Sequence, residues 1–587
     1  MRIMRHFIAT LFVLFVSFTA AHAQDDDKGF LTNAIQDALS GAGRSVSIEG
    51  FSGALSSTAS FERMTISDKD GVWLTLDGAT LDWNRSALLR GRLEVQSLTA
   101  KRLDVPRLPI SEGEALPDAE AKPFALPDLP VSIDVANFSV GEINLGAPVM
   151  GEAAQLTIKA SARLTDDVGA LDFVAKRTDA KRGEFDIKAN FTRSDNILEL
   201  LLQLAEEEKG IAARLLNIPG QPSVDMTIAG KGPLDDFATD VKIATDGQER
   251  LAGTVTLGAQ TPRRASDTPD RRIQANIGGD ITALLAPRYR DFFGTDVRLT
   301  LDALREGSGA IEVSAFTLDA QAAELAGKVT LNTDTWPTFI DITGTIANPD
   351  GTSILLPVSG AGTQVARVDL RVSYDAAEGE VFDAGFDITD LDTSGIKIEK
   401  TTLDLLGTLQ GNLGSVGQFL GDMTFDASGL SLTDKASAEA IGDAISGKAN
   451  INYIEGQPIR ISDLDLSGAD YGLTGKAVIN GLEAGFLTRL DMALTAADLS
   501  RFSALVGREI DGSTALALKG TITPLGGQFD LKATGNAQDI KTGIAQADAV
   551  LAGLTQLSVE AQRNENGTFL RDLVLENAAL SLTGGAE

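Results

Sequence analysis

The chain has 587 residues and is strongly acidic, with 51 Lys and Arg against 82 Asp and Glu and a formal net charge of −31. This balance argues against nucleic-acid binding, because neutralising phosphates requires a surplus of Lys and Arg, and against broad docking on an anionic lipid surface. There is no Cys, and the two His are His6 and His22. The rest of the chain has neither His nor Cys, which the usual catalytic triads and zinc sites require. We therefore expect no enzyme, no metal and no cofactor.

Residues 1–23 have the character of an export signal. Arg2 and Arg5 form a short basic region, an apolar run covers 7–21, and Ala21-His22-Ala23 fits a small-x-small cleavage site. The apolar run is shorter than the roughly 20 residues that a membrane-spanning helix needs. We expect this segment to direct the chain through the inner membrane, either as a cleaved signal peptide or as a retained anchor.

Alternation of apolar and polar residues dominates the rest of the chain. Val368, Leu370, Val372 and Tyr374, for example, alternate with polar residues. A period of two places the apolar side chains on one face of a sheet and the polar ones on the other. The 59 glycines suit many short strands with turns. The sequence therefore predicts an all-β fold.

A repeat of two apolar segments is visible within this pattern. Three copies have the same spacing, a first segment at Phe316-Thr-Leu318, Leu464-Asp-Leu466 or Leu573-Val-Leu575 and a second at Leu325-Ala-Gly327-Lys-Val329-Thr-Leu331, Leu473-Thr-Gly475-Lys-Ala477-Val-Ile479 or Leu582-Thr-Gly584. Partial copies occur at Leu251-Ala-Gly253-Thr-Val255-Thr-Leu257, Ile342-Thr-Gly344, Ile445-Ser-Gly447 and Leu518-Lys-Gly520. Each copy predicts a strand, a turn and a strand, and such units must stack to bury their apolar faces. Since the third copy stops in mid-strand, we expect a longer protein that continues beyond residue 587.

Helices are expected to be few and short, acting as caps on apolar sheet surface. The candidates are the segments 30–39, 211–216, 287–293, 437–445 and 499–506. Six of the 18 prolines fall within 106–130, which predicts an extended linker there. The predicted organisation is thus a signal or anchor over 1–23, an N-terminal β unit over 24–105, the Pro-rich linker over 106–130 and a repetitive β body over 131–587.

Two chemical motifs are better explained as structure. Gly442 to Lys448 nearly matches a phosphate-binding loop, but Ala449 replaces the Ser or Thr that would hold magnesium. Asp390 to Gly395 resembles the start of a calcium loop, but Thr401 stands where a bidentate Glu is needed. We interpret the first as another copy of the strand repeat and the second as a hairpin tip.

The N-terminal unit carries a recognisable series of residues. It includes Asp70-Gly-Val-Trp73-Leu-Thr-Leu76, Leu81-Asp82-Trp83 and Ala87-Leu-Leu-Arg90-Gly91-Arg92-Leu93, followed by Gly146-Ala-Pro148-Val-Met-Gly151, Ala213-Arg-Leu-Leu216, Gly230-Lys-Gly-Pro233 and Pro524-Leu-Gly526-Gly527. In this order they resemble the TamB family, the inner-membrane subunit of the translocation and assembly module, over essentially the whole chain. The sequence departs from the family in its cleavable-looking signal and in lacking the family's C-terminal domain.

The resemblance implies a long antiparallel sheet curled into an open, taco-like groove, as in the wider AsmA-like group. It implies the periplasm of a Gram-negative bacterium, with the N-terminus at the inner membrane and an Omp85-type barrel as partner in the outer membrane. Two roles are attached to the family. One is phospholipid transport between membranes, and the other is support of outer-membrane protein assembly and secretion.

Exposure of an acyl chain to water costs roughly 0.8 kcal/mol for each CH₂. A groove whose floor is the apolar side of the repeats would shield acyl chains and remove this cost. The predicted groove-lining residues are the inward set of the repeats, namely Leu251, Val255, Leu257, Leu325, Val329, Leu331, Leu473, Ala477 and Ile479. We expect the glycines Gly327 and Gly475 to leave room for a lipid tail. The alternatives are a closed β-sandwich core filled by the same residues, and a scaffold that binds unfolded outer-membrane strands by edge pairing.

Overall fold

A computed structural model describes residues 45–53, 56–109, 132–260, 268–357, 362–393, 395–411, 417–481, 486–523, 528–564 and 567–586. The expected signal over 1–23, the expected helix over 30–39 and most of the Pro-rich linker lie outside these residues. The described chain is all-β, as expected, and its 33 strands belong to one open sheet. Contacts divide it into two compact units, the first formed by residues up to 259 with 275–287 and the second by 260–274 with 288–587.

The first unit is built from strands of mostly 10 to 14 residues. They are β1 (Ser45–Glu49), β2 (Thr58–Asp68), β3 (Gly71–Asn84), β4 (Arg92–Val105), β5 (Ser132–Leu145), β6 (Ala154–Leu164), β7 (Val168–Arg177), β8 (Gly183–Thr192), β9 (Ile197–Glu206), β10 (Val224–Pro233), β11 (Asp236–Thr245) and β12 (Gln248–Gln260). Strand β13 (Asp270–Gly279) is divided between the units.

The second unit continues with strands of similar length and three short ones. They are β14 (Val297–Arg305), β15 (Ile311–Ala320), β16 (Ala323–Leu331), β17 (Pro337–Ala347), β18 (Ile354–Leu355), β19 (Gln364–Val365), β20 (Arg367–Asp375), β21 (Val381–Thr393), β22 (Ile396–Gln410), β23 (Gln418–Ser428), β24 (Ser431–Leu432), β25 (Ala444–Ile454), β26 (Ile459–Ser467), β27 (Tyr471–Ile479), β28 (Thr488–Ala496), β29 (Asp511–Thr523), β30 (Gln528–Lys541), β31 (Leu554–Asn564), β32 (Gly567–Glu576) and β33 (Ser581–Ala586).

Short helices interrupt the connections between strands. They are α1 (Arg85–Leu88), α2 (Ala147–Met150), α3 (Ile211–Leu215), α4 (Arg290–Phe293), α5 (Lys435–Ile441), α6 (Ser503–Val506) and α7 (Ala545–Leu551), with 3₁₀ turns at Thr282–Leu284, Pro287–Tyr289, Ala376–Glu378 and Ser500–Phe502. Three of the expected helices are confirmed, at 211–216, 287–293 and 499–506. The helix expected over 437–445 ends earlier, at Ile441, because β25 begins at Ala444.

Most strands pair with the next strand in the sequence, but β17 pairs with β20, β19 with β21, β22 with β24 and β23 with β25. These pairs are antiparallel, whereas one pair is parallel. Strands β4 and β5 pair in parallel, Arg92 opposite Ser132 and Val105 opposite Leu145. A parallel pair needs a connection that returns from the end of the first strand to the level of its start. The strands that flank the Pro-rich segment in the sequence are therefore adjacent in the sheet.

Antiparallel pairing brings every second connection to the same edge of a unit. The strand ends on one side of each unit carry most of the helices, and we call this side, which is not an edge strand, the helical edge. Its helices are α2 and α3 in the first unit, and α4, α5, α6 and α7 in the second. The opposite edge, the turn edge, consists mainly of short turns, with α1 as its helix in the first unit. Buried clusters lie at the helical edges, such as Ala213, Ile218 and Val224 around α3 and Phe292, Ile354 and Val365 around α4.

Candidate apolar binding face

One face of each unit carries the apolar side chains, and the other carries polar and charged ones. The pairing register makes this visible, since residues directly opposite on neighbouring strands project to the same side of the sheet. Following such pairs from strand to strand traces rows that cross the unit. We call the side that these rows occupy the apolar face.

The second unit has two uninterrupted rows, with one residue from every strand between β14 and β33 except the short β18, β19 and β24. The first row is Ala303, Val313, Val329, Ile340, Tyr374, Phe382, Gly407, Gly421, Ile451, Ile461, Ala477, Leu490, Gly520, Leu531, Ala561, Leu570 and Ala586. Its one polar atom is the Tyr374 hydroxyl, which donates to the backbone oxygen of Leu409. The row contains no charged residue.

The second row lies nearer the helical edge and consists only of Leu, Phe and Gly. It is Leu299, Leu318, Leu325, Gly344, Leu370, Phe386, Leu403, Phe425, Gly447, Leu466, Leu473, Leu494, Leu516, Gly535, Leu557, Leu575 and Leu582. At about 4.8 Å between strands, each row follows an apolar path of about 75 Å across the ladder.

The first unit has a comparable row from β2 to β12. It is Ala59, Leu81, Leu98, Phe138, Ala160, Phe173, Ile187, Leu202, Ile228, Val241 and Gly253. Its path across the ladder is about 50 Å.

All nine residues predicted from the repeats project from the apolar face of their unit. Val329 and Ala477 belong to the first row of the second unit and Leu325 and Leu473 to the second, whereas Leu331 and Ile479 lie beside the first row toward the turn edge. Leu251, Val255 and Leu257 flank Gly253 on β12. The structure thus places the two sets in different units, a division that the repeat alone does not reveal.

The predicted residues are mostly half-buried. Ala477 is buried, with 6% of its surface exposed, and Leu257 is 47% exposed. Within each unit each strand contacts chiefly its neighbours in the ladder. Residues on the same face of neighbouring strands lie close enough to shield one another, which accounts for part of this burial.

Glycines on the apolar face are covered by large side chains from the next strand. A Cβ on Gly327 would lie 2.9 Å from the Phe316 ring, and a Cβ on Gly475 would lie 3.0 Å from the sulfur of Met492. The space that we expected these glycines to leave for a lipid tail is therefore occupied by protein. At Gly475 the backbone also requires glycine, because φ is +148° and a Cβ would collide with the Asp491 oxygen.

The three full repeats have the same structure. Leu318 pairs with Leu325, Leu466 with Leu473, and Leu575 with Leu582. In each copy the first strand has a bulge of two residues, between Val313 and Phe316, between Ile461 and Leu464, and between Leu570 and Leu573. A bulge bends its strand and increases the local twist, so the repeat sets the bend at a corresponding point in each copy.

The face opposite the rows carries charged pairs between strands. Lys519 lies 3.5 Å from Asp491, Lys532 lies 2.6 Å from Glu560, and Lys328 stands opposite Asp341 in the register. These side chains are largely exposed, so each pair contributes little to stability, on the order of 0–1 kcal/mol. Their effect is to keep one face of the sheet hydrated while the other is apolar.

Sequence reasoning missed a buried ion cluster at the helical edge of the first unit. Arg177 lies on the apolar face beside Leu156, and its guanidinium contacts Glu152 at 2.9 Å, Asp179 at 2.7 Å and Glu206 at 3.3 Å. The side chains of Arg177 and Glu206 are 5% and 4% exposed. Glu206 also accepts a hydrogen bond from the backbone N–H of Ala212 in α3. The cluster therefore ties the capping helix α3 to the end of the sheet.

The cluster is electrostatically matched. Burial would raise the pKa of Glu152, but hydrogen bonds from Lys181 and Arg177 outweigh burial and hold that pKa below its usual range. The same balance, with hydrogen bonds from Arg177 and the backbone of Gln155, lowers the pKa of Asp179. A signal for this cluster does exist in the sequence, since Arg177 is a charged residue at an inward position of an alternating strand.

No helix within the described residues is long and apolar enough to cross a membrane. No protein-family model, curated protein or solved structure matches the chain.

Proposed function

We propose that the chain carries phospholipid acyl chains along its apolar face as part of a periplasmic bridge between the inner and outer membranes, in the manner of the TamB family. The observation that supports this most strongly is the pair of uninterrupted apolar rows in the second unit. A folded chain needs apolar residues to pack against one another, but it does not need them in unbroken register across all the long strands of a unit while many of them stay half-exposed.

The proposed mechanism is removal of the cost of exposing acyl chains to water. At about 0.8 kcal/mol for each CH₂, a chain of about 16 carbons meets a barrier on the order of 13 kcal/mol in water. Contact with Leu, Val, Ile and Phe along a row replaces that water, and no step along the row requires leaving the apolar surface. The recurrent bulges bend the strands and favour a sheet that curls around its apolar face into a groove.

The polar part of the lipid would stay in water throughout. The rows contain no cation or hydrogen-bond donor that would hold a head group, because even the Tyr374 hydroxyl is engaged with Leu409. A surface without such anchors lets a lipid slide from strand to strand. The glycines contribute a level floor, since large neighbouring side chains such as Phe316 lie over them.

The alternative is a scaffold for outer-membrane proteins, working with an Omp85-type barrel and binding polypeptide by edge pairing. Edge pairing needs strands with a free side. The interior strands of the rows have ladder partners on both sides, as β16 has with β15 and β17, whereas β33 pairs with β32 on one side in the described residues. The backbones of the interior strands are therefore not available to an incoming strand, which favours lipid as the cargo along most of each row.

Photo-crosslinking in the periplasm tests the proposal. A photoreactive residue at Val329, on the first row, is expected to capture phospholipid, whereas one at the adjacent Lys328, on the charged face, is not. Equal capture of lipid at both positions would contradict the proposal, and capture of unfolded outer-membrane protein at Val329 would favour the scaffold.

A charge variant tests transport itself. Val329→Asp places a carboxylate in the first row and is expected to abolish lipid movement along the chain, measured as transfer of labelled phospholipid. Thr343→Asp adds the same charge on the exposed opposite face and should leave transfer unchanged. Normal transfer by a folded Val329→Asp chain would overturn the proposed path.

A further inference from the structure

The connection from β3 to β4, which contains α1, displays an apolar side chain to solvent. Leu89 is 91% exposed, well above the next leucines, Leu215 at 63% and Leu216 at 60%. Nearby Ala87 is completely buried, with 0% exposure, so one side of the short helix is fixed to the sheet while Leu89 projects from it. An exposed leucine is common on protein surfaces, but one this exposed gains nothing from its own fold.

The connection is held in place by several hydrogen bonds. The N–H of Arg90 donates to the oxygen of Ala87 at 2.9 Å, and the N–H of Ser132 donates to the oxygen of Gly91 at 3.0 Å. The Asn84 amide donates to Glu94 at 2.9 Å across the base of the connection. Leu89 is thus presented from an ordered position, and its burial on a partner would cost little ordering entropy.

The charge around Leu89 is opposite to that of the chain. Residues 85–92 contain Arg85, Arg90 and Arg92 and no acidic residue, in a protein of net charge −31. The nearest carboxylate in sequence, Glu94, is engaged by Arg92 at 3.3 Å as well as by Asn84. The connection is therefore a locally basic surface with a projecting leucine at its centre.

We propose that this connection docks on the surface of an anionic lipid bilayer. The arginines would lie among the lipid phosphates while Leu89 enters the boundary of the acyl chains, as basic and apolar side chains do together at membrane interfaces. The overall acidity of the chain excludes broad contact with such a surface, so docking is confined to this locally basic site. The inference does not depend on the cargo, and it holds for lipid transport and for the scaffold alike.

Fluorescence at a single engineered cysteine tests the docking. Because the chain contains no Cys, Leu89→Cys in the full chain can be labelled uniquely with an environment-sensitive dye. Phosphatidylcholine vesicles that contain phosphatidylglycerol are expected to shift its emission to the blue, and pure phosphatidylcholine vesicles are not. The matched control is Leu215→Cys, an exposed leucine of α3 at the helical edge, which should show no shift with either vesicle.

A second variant tests whether a basic residue contributes to docking, as distinct from the dye itself. Arg90→Gln in the Leu89→Cys background should weaken binding to the anionic vesicles by about fivefold, since one basic residue near an anionic surface has an effect of this size. The proposal is overturned if position 89 gives no shift, if position 215 gives the same shift, or if Arg90→Gln has no effect. A shift caused by an acidic polypeptide such as polyglutamate but not by vesicles would also overturn it.

Discussion

The helical edge and the turn edge of the first unit connect its strands in different ways. At the helical edge of the first unit, the end of the apolar face is closed by α3, by a cluster around Ile218 and Val224, and by the ions around Arg177. At the turn edge of the same unit, strands β6 and β7 are joined by three residues, with Thr165 donating to Val168 at 2.9 Å. One edge is built from tertiary contacts and the other mostly from local turns.

This difference indicates at which edge the end of the apolar face is covered. Short turns end a strand pair with few side chains, so they leave the end of the apolar face accessible. Helices and buried ions cost ordering entropy and desolvation, and they persist where a surface must be covered. We call the helical edge of the first unit, with α3 and the ions around Arg177, the wall, because it covers the end of the apolar face. Changes to the wall should lower the free energy of unfolding far more than changes to the turn edge.

The largest expected effect is loss of the buried guanidinium at the wall. Arg177→Met leaves Glu206 and Glu152 without their common cation in a buried site, which should lower the free energy of unfolding by about 3–5 kcal/mol. Urea denaturation of the purified chain measures the change. The neighbouring Arg182 is 93% exposed and pairs with Glu207 at 3.3 Å, so Arg182→Met should cost at most about 1 kcal/mol.

Equal losses in the two arginine variants would contradict the comparison. They would mean that the cluster around Arg177 is solvated in solution and that α3 is held by its apolar contacts alone. A large loss confined to Arg177→Met would instead establish the ions as part of the wall.

Acid should weaken the same wall. The pKa values of Glu152 and Asp179 lie below their usual range in the folded chain, so these groups stabilise the fold above the ordinary carboxyl pKa of about 4. That contribution is constant near neutrality and is lost as the pH falls through the lowered folded values. Unfolding free energies measured from pH 7 to pH 3 should therefore fall less steeply in a Glu152→Gln, Asp179→Asn variant.

The control for acid removes two exposed carboxylates of the turn edge. Asp166→Asn with Asp167→Asn makes the same change of charge without touching the cluster. Its loss of stability in acid should follow that of the unchanged chain. If both double variants flatten the curve equally, the effect reflects net charge and not the ion cluster.

The apolar face could be predicted from sequence because it depends on local alternation. Leu325 and Val329 are two and six residues along one strand from the alanine that begins it, and period two alone assigns them to one side. The spacing of the repeat also predicted a strand, a turn and a strand, and in the structure Leu318 pairs with Leu325 across that turn. These relations span few residues and need no tertiary information.

The wall could not be predicted in the same way. Arg177, Glu152 and Glu206 are separated by 25 and 29 residues, and only the folded register brings them together. The parallel pairing of β4 with β5 is similar, because the Pro-rich segment predicts an extended linker and gives no indication that the strands on either side of it pair with each other. The covering of Gly327 by Phe316 also depends on a neighbouring strand, which is why the expected space for a lipid tail was wrong there.

The smallest expected effect is a matched pair of insertions. Gly-Ser added after Asp166, in the turn between β6 and β7, should lower the free energy of unfolding by no more than about 0.5 kcal/mol, since lengthening an exposed loop costs little entropy. The same insertion after Ala180, between β7 and β8, displaces Lys181 from Glu152, to which it donates at 2.5 Å. It should lower the free energy of unfolding several times more, because it separates charged side chains that stabilise one another in a buried cluster. Equal tolerance at both sites would show that the two edges differ in composition but not in their contribution to the fold.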